Sequence, residues 1–160
     1  MRVIRQTAAF ILLLSLTAFC GTTIKQAAFV EAAGSGLAYS VNYELQLQHT
    51  AGVSTAFRAG FGFWNAPFSN YWISIPVMVS SLIGHGNHKL ELGIGYNPLF
   101  VNVFMDPLAL NSVCWCIGYR YQHHPKGMLF RIGFTPHIFA PSWSLIGFLP
   151  WGGASIGWLF

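Results

Sequence analysis

The sequence predicts an all-β chain that forms an eight-stranded antiparallel up-and-down transmembrane β-barrel. Three observations carry that expectation. Apolar residues recur at every second position in segment after segment, the period of a strand with unlike faces. Only 8% of the residues are charged, against roughly 25% in an ordinary soluble domain. The charges that fall within strands share a phase with Gly, Ala and Ser, opposite the aromatic rings.

Taken in order, residues 1–20 read as a cleaved signal peptide and residues 21–160 as a single barrel domain. Arg2 and Arg5 precede a twelve-residue apolar run from Ala8 to Phe19, too short to cross a bilayer as a helix. Cleavage is expected after Ala18 or Cys20, and bulky Phe19 argues against lipidation at Cys20. A first strand is expected at about residues 26–33, turning at Gly34-Ser35-Gly36. In residues 37–48 the odd positions are Leu37, Tyr39, Val41, Tyr43, Leu45 and Leu47, opposite Ala38, Ser40, Asn42, Glu44, Gln46 and Gln48. Residues 53–63 set Val53, Phe57, Phe61 and Phe63 against Ser54, Arg58, Gly60 and Gly62. Residues 71–80 set Ile73, Ile75, Val77 and Val79 against Ser74 and Ser80, and residues 90–97 set Leu90, Leu92, Ile94 and Tyr96 against Glu91, Gly93, Gly95 and Asn97. Residues 113–122 place Trp115, Ile117, Tyr119 and Tyr121 opposite Cys114, Cys116, Gly118 and Arg120. Residues 129–138 place Phe130, Ile132 and Phe134 opposite Arg131, Gly133, Thr135 and His137. The chain ends on Ala154, Ile156, Trp158 and Phe160, alternating with Ser155 and Gly157.

Residues 132–160 carry no charge and resemble a membrane helix in hydropathy, but Pro136, Pro141 and Pro150 with five glycines exclude one. The first strand is needed for parity, since bacterial single-chain barrels have even strand numbers. It also puts the short links (49–52, 84–88, 123–127) on the periplasmic side and the long ones (64–70, 98–112, 140–149) outside, as such barrels require.

Size decides which face is inside. An eight-stranded barrel is only wide enough for ordinary side chains, so the aromatic face must point out, toward lipid. Glu44, Arg58, Glu91, Arg120 and Arg131 all fall in the opposite, inward phase. They are expected to form a structural Arg/Glu network, because a narrow lumen must pair its charges. Three Arg against two Glu leaves a surplus positive charge, so any conduction path should be narrow and biased against cations.

The segments SVNYE (40–44), GNHKLELGIG (86–95), IGYRYQ (117–122), FRIGFTP (130–136) and PWGGASIGWLF (150–160) resemble a mostly uncharacterised family of small outer-membrane β-barrel proteins common in Bacteroidota. The resemblance implies the eight-stranded barrel and a bacterial outer-membrane location, and it offers no catalytic residue to carry over. Ile156, Trp158 and Phe160 also look like the carboxy-terminal signal read by the barrel-assembly machinery.

The expected role is therefore structural or interactive, in contact with outer-membrane lipid and, during biogenesis, with the assembly machinery. No motif implies a metal, a cofactor or a catalytic residue. Eight Lys+Arg against four Asp+Glu, with no basic cluster beyond Arg5, excludes a nucleic-acid partner. The apolar outer links FVNVFMDPLALN (100–111) and FAPSWSLIGFLP (139–150) should meet acyl chains, fold over the mouth or dock a partner protein. Two alternatives stand beside this reading. One is a lipid-modifying enzyme at the rim built on His137, with Ser142 and Ser144 as candidate serines. The other is a narrow solute channel. Cys114 and Cys116, two apart on one strand face, are poorly spaced for a disulfide. His85, His88, His123 and His124 fall in short turns, where solvated imidazoles are the rule.

Overall fold

Strands whose two faces differ this sharply pair edge to edge until no free edge remains, and here the sheet closes on itself. The computed structural model describes residues 23–50, 52–66, 70–103, 106–123, 125–142 and 145–160. The segment read as a signal peptide, with Cys20, lies outside the described residues, as do His124 and Ser144. The strands are β1 (Thr23–Ala33), β2 (Tyr39–Thr50), β3 (Val53–Ala66), β4 (Asn70–Ser74), β5 (Val77–Ile83), β6 (His88–Val103), β7 (Asp106–Gln122), β8 (Gly127–Phe134), β9 (His137–Ser142), β10 (Leu145–Leu149) and β11 (Gly152–Leu159).

These segments make eight staves, because three staves are interrupted. β4 and β5 both lie between β3 and β6, β8 and β9 both pair with β7, and β10 and β11 continue one another beside β9 and β8. Each break holds a proline (Pro76, Pro136, Pro150), which has no N–H to give the ladder. Backbone bonds patch the breaks: Gly60 N–H donates to Pro76 O at 2.8 Å and Thr135 N–H to Trp151 O at 2.7 Å. Antiparallel pairing of β1 with β11 closes the ring, and Gln26 and Phe160 exchange backbone bonds of 3.2 and 2.9 Å at its end.

The alternation becomes an inside and an outside as expected. Ile94 is 64% exposed and Trp158 55%, whereas Glu44, Glu91 and Arg120 are fully buried. Leu37 and Leu47, expected on the outer face, are buried instead. Leu37 belongs to a turn that folds inward. Inside, Ala27, Phe29, Leu129 and Leu159 form an apolar cluster in which Phe29 is a ring within the lumen, and Met78, Cys114 and Cys116 form another.

The outer links differ from expectation. Residues 98–103 and 106–112, read as parts of a loop, continue β6 and β7 as a paired hairpin up to Val103 opposite Asp106. β3 with β4 and β9 with β10 are zipped in the same way. The physical reason is that alternation persists through these segments: Leu99 and Val101 are buried while Phe100 between them is exposed. Three hairpins therefore stand tall on one side of the barrel.

The first hairpin is short and tucks inward. Gly34–Gly36 form one buried turn of 3-10 helix, and Gly34 sits at φ 65°, in the left-handed region open to glycine. Leu37 at φ 70°, ψ −66° closes a γ-turn in which Ala38 N–H donates to Gly36 O at 3.0 Å, a rare and strained geometry. Gly153 on β11 makes room for the tuck, since a Cβ there would lie 2.5 Å from the Gly34 nitrogen.

Candidate functional site

The inward phase of β1, β2, β3, β6, β7 and β8 brings Glu31, Glu44, Arg58, Glu91, Arg120 and Arg131 together in the lumen, each 4% exposed or less. Glu91 is the centre. Its Oε1 accepts from Arg58 Nη2 at 2.7 Å and from Ser80 Oγ at 3.2 Å, and its Oε2 accepts from Arg131 Nε at 2.8 Å. Arg120 Nη1 lies 3.6 Å from that same Oε2. Glu44 accepts a fork from Arg120 (Nη2 to Oε1 2.6 Å, Nη1 to Oε2 3.2 Å) and also Arg58 Nη2 at 3.1 Å. Arg131 Nη1 reaches the Glu31 carboxylate, whose other oxygen is held by Ser35 Oγ at 2.6 Å. The Arg58 guanidinium also lies over the Phe29 ring, 4.9 Å from its centroid.

All five charged residues singled out in the sequence meet here, and Glu31 joins them. The expected positive surplus is therefore corrected: three Arg face three Glu, and the core of the network is neutral. Neutrality matters in a lumen without bulk water, where a lone ion costs several kcal/mol and the paired arrangement offsets that loss. Glu31 was missed because its strand alternates weakly. Its register gives it away, since it lies opposite Ser40 in the inward phase of β2. Toward the end of the barrel opposite the tall hairpins Gln46 Nε2 donates to Glu44 Oε1 at 2.9 Å and Gln122 Nε2 to Gln46 Oε1 at 3.0 Å, extending the polar plug.

At the end that carries the tall hairpins the tucked turn lies over the network. Its carbonyls are held by side chains from across the barrel: Asn97 Nδ2 to Ser35 O (3.0 Å), Ser74 Oγ to Gly36 O (3.2 Å) and Trp151 Nε1 to Leu37 O (2.9 Å). His137 Nε2 lies 3.0 Å from Gly34 O, and its Nδ1 lies 3.0 Å from Ser112 Oγ. An Nε2–H tautomer that donates to the carbonyl and accepts from the serine satisfies both bonds. The serine beside His137 is thus Ser112, one stave away, a contact set by strand register (Cys114 opposite His137) and invisible in linear spacing. Ser142 ends β9. Both Ser112 and His137 are sealed from solvent.

Above the turn, Leu37, Leu99 and Val101 form a buried cluster with Leu110, Phe139, Leu149 and Trp151 packed against it. They line a cavity of about 780 Å³ that also touches Trp64 and Trp72. The apolar outer segments thus stand as hairpins that turn alternate side chains inward above the turn and leave Phe100 and Phe148 exposed. Elsewhere, Cys114 and Cys116 are free and buried, and Arg131 Nη2 donates to Cys116 Sγ at 3.2 Å. His88 is outward, with Nδ1 2.6 Å from the Tyr119 hydroxyl. Among the described residues no group of three or more His, Cys, Asp or Glu stands together as metal ligands.

No protein-family model matches the chain, and no curated protein matches it. Among solved structures it is similar to the N-terminal β-barrel domain of Pseudomonas aeruginosa OprF (TM-score 0.49, 12% identity, 86% of this chain and 96% of that one). It is likewise similar to the attachment invasion locus protein Ail of Yersinia pestis, solved with the heparin analogue sucrose octasulfate (TM-score 0.49, 10% identity, 87% and 97%). Neisserial surface protein A, NspA, stands alongside these (TM-score 0.48, 13% identity, 87% and 96%).

Proposed function

We propose that this chain is an integral β-barrel of the bacterial outer membrane with a closed lumen and a structural or interaction role, akin to the small Bacteroidota barrels its motifs resemble. The observation that carries this reading is the neutral, fully buried Arg/Glu network beneath an inward-folded turn. It fills the space through which a solute would pass and leaves no charge to select one. Lipid is the first partner, met by the exposed rings. The assembly machinery is the second, and the outward Ile156, Trp158 and Phe160 present it with alternate apolar side chains on the last strand.

Two measurements on the full chain test the proposal. Extracted from outer membranes, it should resist SDS and change gel mobility on boiling. Reconstituted in planar bilayers, it should give no steady conductance steps. Stepwise conductance that changes in Arg58→Ala would replace this reading with the narrow channel.

A second reading, a lipid-modifying enzyme, has one observation in its favour: the 3.0 Å contact of Ser112 Oγ with His137 Nδ1, the geometry of a hydroxyl and its base. Against it, both side chains are buried and Nε2 is engaged by Gly34 O. Fatty-acid release from lipid vesicles that is lost in Ser112→Ala would favour the enzyme.

A further inference from the structure

The outer chamber is not explained by a closed, structural barrel. At about 780 Å³ it falls within the roughly 300–1,000 Å³ typical of ligand sites. With about 30 Å³ for a water-sized group, it holds roughly two dozen such groups. None of its described lining residues is charged. The Trp151 indole N–H, a polar group within it, is already given to Leu37 O. A chamber so lined offers water few partners and suits an apolar occupant.

The fold also gives the chamber a side entrance. β3 pairs with β2 only as far as Phe61 opposite Val41, and beyond that Gly62–Ala66 pair with β4 alone. On the other flank β1 pairs with β11 only to Ala33 opposite Gly153, while β10 pairs with β9 alone. Above the short first hairpin, therefore, the wall lacks two staves. At about 4.8 Å per strand step, three steps set the axes of the flanking strands β3 and β10 roughly 14 Å apart along the wall. The gap runs directly into the outer apolar surface: on β10, Phe148 is exposed beside Leu149, which lines the chamber. Trp64, in the inward phase, stays 47% exposed beside the gap, edge-on to Tyr39 at 6.0 Å. Indole and phenol rings of this kind favour the boundary between headgroup and acyl chain.

We infer that this chamber binds one hydrocarbon chain of a membrane lipid, which enters sideways over the first hairpin with its headgroup at the Trp64 rim. Leu37, held inward by its strained γ-turn, forms the floor, and Leu99, Leu110 and Leu149 form the walls. The inference rests on the reading that the barrel is embedded in a membrane, and its test separates the two.

The full chain is reconstituted in vesicles of phosphatidylethanolamine carrying a photoreactive diazirine on one acyl chain, irradiated, and mapped by mass spectrometry. Labels are expected at outward residues such as Ile94 and Phe57 and also at Leu99, Leu110 or Leu149 inside the chamber. In Leu110→Trp, which fills the chamber, the inner labels should fall to background while the outer ones persist. Labels confined to outward residues in the unmodified chain would overturn the acyl-chain site and leave the membrane reading standing. Labels at neither set would overturn both.

Discussion

Replacing Glu91 by Gln tests the lumen network at its centre with almost no change of shape. The carboxylate accepts from Arg58 at 2.7 Å and from Arg131 at 2.8 Å, with Arg120 3.6 Å away. If the amide oxygen of Gln takes the Oε1 position, it keeps Arg58 and Ser80. Its NH2 then points at Arg131 Nε, donor against donor. The lumen changes from three Arg and three Glu to three Arg and two Glu, in a place where solvent cannot screen the excess. Breaking one partner out of a buried ion pair costs about 3–5 kcal/mol, and hydrogen bonds to charged groups are worth about 1.5–3 kcal/mol each. A loss of about 3–5 kcal/mol is therefore expected. It is read from urea unfolding of the barrel in lipid vesicles, followed by tryptophan fluorescence. Adding Arg58→Met, which restores the balance of charge and leaves Glu44 paired with Arg120 and Glu31 with Arg131, should recover part of the loss. A shift for Glu91→Gln under about 0.5 kcal/mol, the range of an ordinary surface substitution, would refute the reasoning. So would two losses that simply add.

Two further substitutions probe other levels of the fold. Ile94→Arg places a guanidinium on the outer face of β6 and should cost about 2–4 kcal/mol in the same assay if that face lies near the bilayer midplane; a neutral effect would place it in water. His137→Ala removes the imidazole that links Gly34 O to Ser112 and leaves Gly34 O only the Leu37 N–H at 3.2 Å; two hydrogen bonds at about 0.5–1.5 kcal/mol each put the expected loss at about 1–3 kcal/mol. Faster amide exchange in the tucked turn should accompany it, and unchanged exchange there would count against the imidazole as its anchor.

Much of the barrel is legible in the chain because its inner and outer faces meet unlike surroundings and so impose a period of two. Residues 39–46 alternate so strictly that their faces can be assigned by reading, and five charges reveal the lumen by avoiding the rings. What escapes is whatever depends on register between distant strands. Glu31 sits among Ala27, Ala28 and Ala32, where small residues blur the phase, yet it completes the neutral network. Ser112 meets His137 across neighbouring staves, 25 residues apart. The outer hairpins run through Pro98, Pro107 and Pro141, residues that ordinarily mark turns. Prolines are tolerated there, as they are at the breaks beside Pro76, Pro136 and Pro150, wherever a neighbour does not need the missing N–H.

The most direct test of the inside-out arrangement is a nitroxide scan along β6. With Cys114 and Cys116 replaced by Ala, single cysteines at 90 to 96 are spin-labelled in the vesicle-reconstituted chain. Their collision rates with oxygen, which concentrates in hydrocarbon, are then compared with those for a water-soluble nickel complex. The account predicts high oxygen collision at the Leu90, Leu92, Ile94 and Tyr96 positions and low values for both reagents at those of Glu91, Gly93 and Gly95. Oxygen collision highest at the Glu91 and Gly93 positions, with the Leu92 and Ile94 positions shielded, would contradict it.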